Sequence, residues 1–126
     1  MTKVLLVEDD WTMASLLNTL LRLEGYEVTK ADTSTNMEEM LAQIHLEQPD
    51  LVLMDVNLQN FSGLDLLQRL RQQQETARIK VLMTSGSDYS DQCKSAGADG
   101  FLLKPYMPED LIRKFHQLLE FPTGNM

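Results

Sequence analysis

The chain carries a single cysteine, Cys93, in 126 residues, so no internal disulfide can staple it. A reducing compartment, the cytoplasm, suits such a chain. Four prolines and six glycines are scattered without bias, and no repeat or low-complexity stretch divides the sequence. We expect one domain over residues 1–121 and a short tail at 122–126, where Pro122 and Gly124 fall close together. Long apolar runs are also missing. A stretch such as Leu51 to Met54 is far below the roughly 20 residues a spanning helix needs, so no membrane insertion is expected. One lysine, then Val4 to Val7, then three acids do not make a secretory signal, which needs a longer apolar region and a small-residue cleavage site. Positive charge is scarce: 11 Lys and Arg face 19 Asp and Glu, a net charge of −8. That balance opposes direct contact with nucleic acid or with anionic lipid. Taken alone, it is equally the mark of a merely soluble surface.

What is present is a globular composition, 43% hydrophobic and 24% charged, at a length that can bury its own core. Two periodicities alternate along it. Val4 to Val7 is a short β-rich apolar run stopped by acids, as a buried strand would be. Met13, Leu16, Leu17, Leu20 and Leu21 then recur at helical spacing, with Asp10 as N-cap and Gly25 closing the helix. Tyr26 to Lys30 alternates like a half-buried strand, and Met37, Met40, Leu41 and Ile44 form the next helical stripe. Leu51 to Met54 is a strand running into Asp55, and a polar loop leads to Gly63. Leu64, Leu67 and Leu70 mark a third helix, and Ile79 to Met83 a fourth strand that meets Thr84, Ser85 and Gly86. A weaker helix covers Tyr89 to Ala96, and Gly100 to Leu103 is the fifth strand, ended by Lys104 and Pro105. Pro108 opens the last helix, whose buried side takes Leu111, Ile112, Phe115, Leu118 and Leu119. Strands alternating with helices in this way predict right-handed crossovers and a parallel sheet covered on both faces.

Ligands of an open parallel sheet sit beyond the carboxyl ends of its strands. Glu8, Asp9 and Asp10 follow the first strand, Asp55 the third, Thr84 and Ser85 the fourth, and Lys104 the fifth. Each has a bland alternative. Acids at strand ends often solubilise loops or cap helices, which is the reading for Asp10; Asp55 could be a turn residue and Lys104 a solvated loop charge. Those alternatives would all have to hold together. Two carboxylates about 4 Å apart repel by about 4 kcal/mol at an effective dielectric near 20. Either one takes a proton or a cation neutralises them. Oxygen donors without His or Cys favour a hard ion, and Mg²⁺ is the natural choice because it needs few carboxylates and engages phosphate. Lys104 adds a second positive charge, so Asp55 stays ionised and nucleophilic. His45 and His116 fall on helices, far from each other and from any Cys pair, and read as surface residues rather than ligands.

Four segments in order, VLLVEDD, PDLVLMDVNLQNFSGLDLL, VLMTSGSD and GADGFLLKPY, resemble the receiver domain of bacterial two-component response regulators, the CheY-like family, over essentially the whole chain. The resemblance implies a flavodoxin-like (βα)5 doubly wound five-stranded parallel sheet in the order 2-1-3-4-5. It makes Asp55 the phospho-acceptor. Glu8 and Asp9 match the acidic pair that binds Mg²⁺ with Asp55 and the backbone carbonyl of Asn57, Asp9 being favoured as the direct ligand. Ser85, followed by the small Gly86, matches the hydroxyl that meets the phosphoryl group; Thr84 is its rival by residue type. Lys104 matches the lysine that pairs with the phosphoryl group, with a cis bond to Pro105. Phe101 matches the aromatic switch, although a plain core role is its alternative. Asn57 and Ser87 stand where family members tune self-dephosphorylation, although a plain loop polar residue is the alternative for each. Two positions depart from the pattern. Gln59 replaces a frequent proline, which predicts a more mobile loop, and Met107 stands where a helix-capping residue is expected.

The function implied is Mg²⁺-dependent transfer of a phosphoryl group from a phosphohistidine to Asp55. The donor would be a sensor histidine kinase or a histidine phosphotransfer protein. The switched surface would be the fourth helix, fifth strand and fifth helix, read by a downstream protein target. Such a domain is no enzyme beyond its own phosphorylation and slow self-dephosphorylation, and it acts as a monomer or a phosphorylation-dependent dimer. If the natural protein is this long, its output is protein contact or onward phosphotransfer. Two rivals remain. A haloacid dehalogenase-type phosphatase also uses a strand-end Asp but needs a second acid two residues on, where this chain has Asn57. A degenerate receiver that only binds partners would have lost acids or the lysine, and none is lost. A nucleotide or flavin site lacks its Gly-rich loop after the first strand.

Overall fold

The computed structural model describes residues 1–120, and the expected tail at 122–126 lies outside them. The chain alternates strand and helix: β1 (Lys3–Val7), α1 (Trp11–Leu23), β2 (Glu27–Lys30), α2 (Met37–Glu47), β3 (Leu51–Asp55), α3 (Gly63–Gln72), β4 (Lys80–Ser85), α4 (Ser90–Ser95), β5 (Gly100–Leu103) and α5 (Pro108–Glu120). All strand pairs are parallel and the order is β2-β1-β3-β4-β5, the flavodoxin-like arrangement expected from the sequence. Between β1 and β3 the winding reverses, which opens a crevice at their carboxyl ends.

Strand alternation sorts the core into two halves. Leu5, Val7, Val52, Met54, Val81 and Met83 meet the buried sides of α2, α3 and α4. Val4, Leu6, Leu51, Leu53, Leu82 and Leu102 meet α1 and α5, where Leu17, Leu21, Leu111 and Phe115 are buried. The central β3 is buried at every residue because helices cover both its faces, whereas β2, at the edge, buries only Val28. Asp10 accepts the Met13 N–H at 3.1 Å, as an N-cap should, and Gly25 turns the chain out of α1 with φ +94°.

Three expectations shift. Leu16 is 64% exposed, so the α1 stripe is narrower than its leucines suggested. In α3 the fully buried leucines are Leu66, Leu67 and Leu70, while Leu64 is half-buried. β4 runs on through Thr84 and Ser85 because β3 and β5 both continue to pair with it there. Met107 does leave α5 without a side-chain cap of its own. Asp110 partly replaces it by accepting the Met107 N–H at 3.3 Å, which is half of a capping box.

Candidate functional site

The sheet's alternation decides which side chains meet. Asp55 pairs in register with Thr84, and Thr84 with Leu102, so Asp55, Thr84 and, two residues beyond Leu102, Lys104 belong to the α1/α5 face. Ser85 and Phe101 belong to the opposite face, where Phe101 packs, half-buried, against the cluster that holds Met83 and Cys93. The Lys104–Pro105 peptide is cis. The backbone N–H of Lys104 donates to Ser85 O at 2.7 Å, which ties β5 to β4 at this rim.

Three predicted residues converge directly. Lys104 Nζ donates to Asp55 Oδ2 at 2.7 Å and to Glu8 Oε1 at 2.9 Å. Both carboxylates are largely buried, so this ammonium neutralises charge that water reaches poorly. Burial alone would lower the pKa of Lys104. The hydrogen bonds and charges of Asp55 and Glu8 more than offset it and hold the ammonium above its ordinary 10.5. Next to it, burial pushes the Tyr106 phenol up to about 12.

Asp9, Asn57 and Ser85 are held by hydrogen bonds of the loops around these three. Asp9 Oδ2 accepts the Gln59 N–H at 2.6 Å, which fastens the loop after β3 to the loop after β1. The loop expected to be mobile for want of proline is thus tied at its own departure from the pattern. Asn57 donates its backbone N–H to Asp55 Oδ1 at 3.0 Å and its side-chain amide to Ser85 Oγ at 3.3 Å. Ser87 N–H also donates to Ser85 Oγ, at 3.1 Å. His45 is exposed on α2 and His116 half-buried on α5.

Gly63 was legible only as a loop end, yet it is part of the site. A methyl group there would overlap the Asp55 carbonyl oxygen and lie 3.0 Å from Val56 Cα, both backbone atoms. The Gly63 N–H donates to Val56 O at 2.8 Å, so the loop closes tightly over the end of β3. Nothing in the sequence signals a contact of this closeness except the glycine itself.

The donor chemistry suits a hard cation. Glu8, Asp9 and Asp55 bring carboxylates and one ammonium, Lys104, faces them, a surplus that a single divalent ion would cancel. Among the described residues no three His, Cys, Asp or Glu side chains are already drawn into a metal-ligating cluster. Lys104 instead holds Glu8 and Asp55, and Asp9 holds Gln59. The residues fit the ion, and Glu8, Asp9 and Asp55 are the carboxylates that would hold it.

The response regulator receiver domain family matches residues 4–116. Among curated relatives, the DNA-binding dual master transcriptional regulator RpaA of Synechocystis is 32% identical over 122 residues, 94% of this chain and 49% of its own. The chain spans about half the length of the curated relatives it matches. Among solved structures, the chemotaxis protein CheY4 of Vibrio cholerae superposes with a TM-score of 0.83 at 29% identity, covering 94% of this chain and 99% of CheY4. The receiver domain of the sensor histidine kinase PA1611 of Pseudomonas aeruginosa shares the fold, with a TM-score of 0.79 at 24% identity over 92% of this chain and 95% of its own. That structure is described with a magnesium ion coordinated in its active-site cleft. No helix among the described residues is long and apolar enough to cross a membrane.

Proposed function

Because this chain belongs to the response regulator receiver domain family of two-component signalling, we propose that Asp55 is its phospho-acceptor. The observation that carries the proposal is the contact between Lys104 and Asp55, a positive charge held on a carboxylate at the carboxyl edge of the sheet. Asp55 attacks the phosphorus of a phosphohistidine presented by a sensor histidine kinase or a histidine phosphotransfer protein. The P–N bond breaks, and the histidine nitrogen leaves with the electron pair. Glu8, Asp9, Asp55 and the backbone carbonyl of Asn57 would hold Mg²⁺, which when bound supplies charge neutralisation for the transferring phosphoryl oxygens. Lys104 orients Asp55 beforehand and then pairs with the phosphoryl group.

Phosphorylation adds nearly two negative charges at neutral pH. Ser85 meets them by turning toward Asp55, which vacates space on the face it shares with Phe101. The aromatic ring follows inward, and the surface of α4, β5 and α5 changes for a downstream protein. These differential contacts bias an existing two-state equilibrium. The net charge of −8 opposes contact with nucleic acid by this segment, so its own readout is protein contact. Asn57, in place of a second acid, leaves a dehalogenase-type phosphatase without its general acid, and retention of every acid and Lys104 speaks against a degenerate receiver.

The test is labelling by acetyl phosphate with Mg²⁺, followed by intact-mass spectrometry. Wild type gains one phosphoryl group; Asp55→Ala gains none. Undiminished labelling of the alanine variant refutes the assignment.

A further inference from the structure

Asn57 grips both halves of the proposed reaction. Its backbone N–H donates to Asp55 Oδ1 at 3.0 Å, and its side-chain amide donates to Ser85 Oγ at 3.3 Å. A single residue therefore connects the acceptor carboxylate of β3 to the hydroxyl of β4. Ser85 Oγ takes a second donor, the Ser87 N–H, at 3.1 Å. Both donors reach it from loop residues beyond the strand ends.

The residue is exposed, but its backbone is well placed to act. A β-bridge pairs Asn57 with Ser62, and the Gly63 N–H donates to Val56 O just behind it. The same Ser62 caps α3 through its hydroxyl, which accepts the Leu64 N–H at 3.2 Å. The amide of Asn57 thus extends from a braced loop rather than a loose one. Ser85, for its part, is fully buried, so its hydroxyl has few other partners to choose from.

We infer that Asn57 is a positioning residue that latches the Ser85 hydroxyl in its resting seat and so sets how often the switch opens before any phosphoryl group arrives. The inference rests on Asp55 being the phospho-acceptor and Ser85 the hydroxyl that meets the phosphoryl group. Turning Ser85 toward Asp55 swings Oγ away from the Asn57 amide. The latch is lost in the open state and kept in the resting state, so it weights the equilibrium toward rest. A single neutral hydrogen bond close to solvent is a modest weight, worth about a threefold change in the open population. This role differs from tuning the loss of phosphate, because it acts on the unphosphorylated protein.

The experiment uses the whole chain and two readouts. Without phosphodonor, the side-chain rotamer of Ser85 is measured by NMR couplings in wild type and Asn57→Ala. With acetyl phosphate and Mg²⁺, labelling rates are measured for wild type, Asn57→Ala, Ser85→Ala and the double variant. The expected result is a second Ser85 rotamer appearing in Asn57→Ala and labelling about threefold faster, with no Asn57 effect once Ser85 is alanine. An unchanged Ser85 rotamer, or an Asn57 effect of equal size in the Ser85→Ala background, overturns the latch. Labelling that survives Asp55→Ala is a separate failure, that of the phospho-acceptor assignment itself.

Discussion

Lys104 Nζ stands 2.7 Å from Asp55 Oδ2, although the two residues are 49 positions apart in the chain. Strand register brings them together: Asp55 pairs with Thr84 and Thr84 with Leu102, and Lys104 follows Leu102 on the same face. The same ammonium reaches Glu8 from β1's end, so one cation spans three strand ends across the crevice. Replacing it with methionine leaves two largely buried carboxylates without their countercharge, although each keeps one backbone N–H donor, from Asn57 and from Asp10. We expect Lys104→Met to cost about 1–3 kcal/mol at neutral pH without Mg²⁺, after allowing for solvent screening at this rim. The folded-state pKa of Lys104 is raised, so its contribution is whole below the ordinary lysine value near 10.5 and fades as pH climbs through the higher folded value. Urea denaturation at pH 8 and pH 11 should show the gap between wild type and variant shrinking at the higher pH.

Gly63 fixes the floor of the site from the other side. Its Cα lies so close to the Asp55 carbonyl that any β-carbon must push on the backbone of Asp55 or of Val56. Backbone cannot rotate away as a side chain could. We expect Gly63→Ala to destabilise by about 1–3 kcal/mol, the range for overpacking, and to slow acetyl phosphate labelling as Asp55 shifts. A urea midpoint equal to wild type would show that the loop yields freely.

At the opposite end of the sheet, Arg71 joins the crossover after α3 to the start of β5. Its guanidinium donates to Gly97 O at 2.9 Å, Ala77 O at 3.1 Å, Ile79 O at 2.8 Å and Asp99 Oδ2 at 2.9 Å. Asp99 Oδ2 also accepts the Val81 N–H at 2.9 Å, so the pair staples three segments. Arg71→Ala strands several partly buried acceptors, and we expect a loss of about 2–3 kcal/mol in urea denaturation. Lysine should not rescue it, because an ammonium cannot present the planar fork that meets four acceptors.

The sequence carried much of this in plain sight. The central strands were legible because apolar residues buried on both faces form unbroken runs, and the run of β3 stops at the charge of Asp55. Edge strand β2 was legible by alternation. Leu16 misled because an amphipathic helix can carry more leucine than its sheet face covers, and no spacing rule says which edge of the stripe stays wet. Arg71 could not be told from Arg69, two residues away, since their roles depend on where the loops after α3 and α4 meet. The same holds for Asp9 with Gln59 and for Asn57 with Ser85. Strand ends are set by register and can be placed from sequence, whereas loop-to-loop hydrogen bonds depend on the folded path.

Thr84 and Ser85 were rivals by residue type, and alternation separates them. Thr84 lies on the face of Asp55 and Lys104, and Ser85 on that of Phe101, where it already contacts the Asn57 amide. If Ser85 is the moving hydroxyl, its departure must be felt by Phe101, because both occupy the same side of β4 and β5. Thr84 has no such route to the ring. With fluorinated phenylalanine incorporated and the Phe101 signal assigned by substitution, phosphorylation should shift that signal in wild type and in the near-isosteric Thr84→Val. In Ser85→Ala, Asp55 should still be labelled, more slowly, while the Phe101 signal stays at its resting position. A Phe101 shift that persists in Ser85→Ala and vanishes in Thr84→Val would assign the switch to the other hydroxyl.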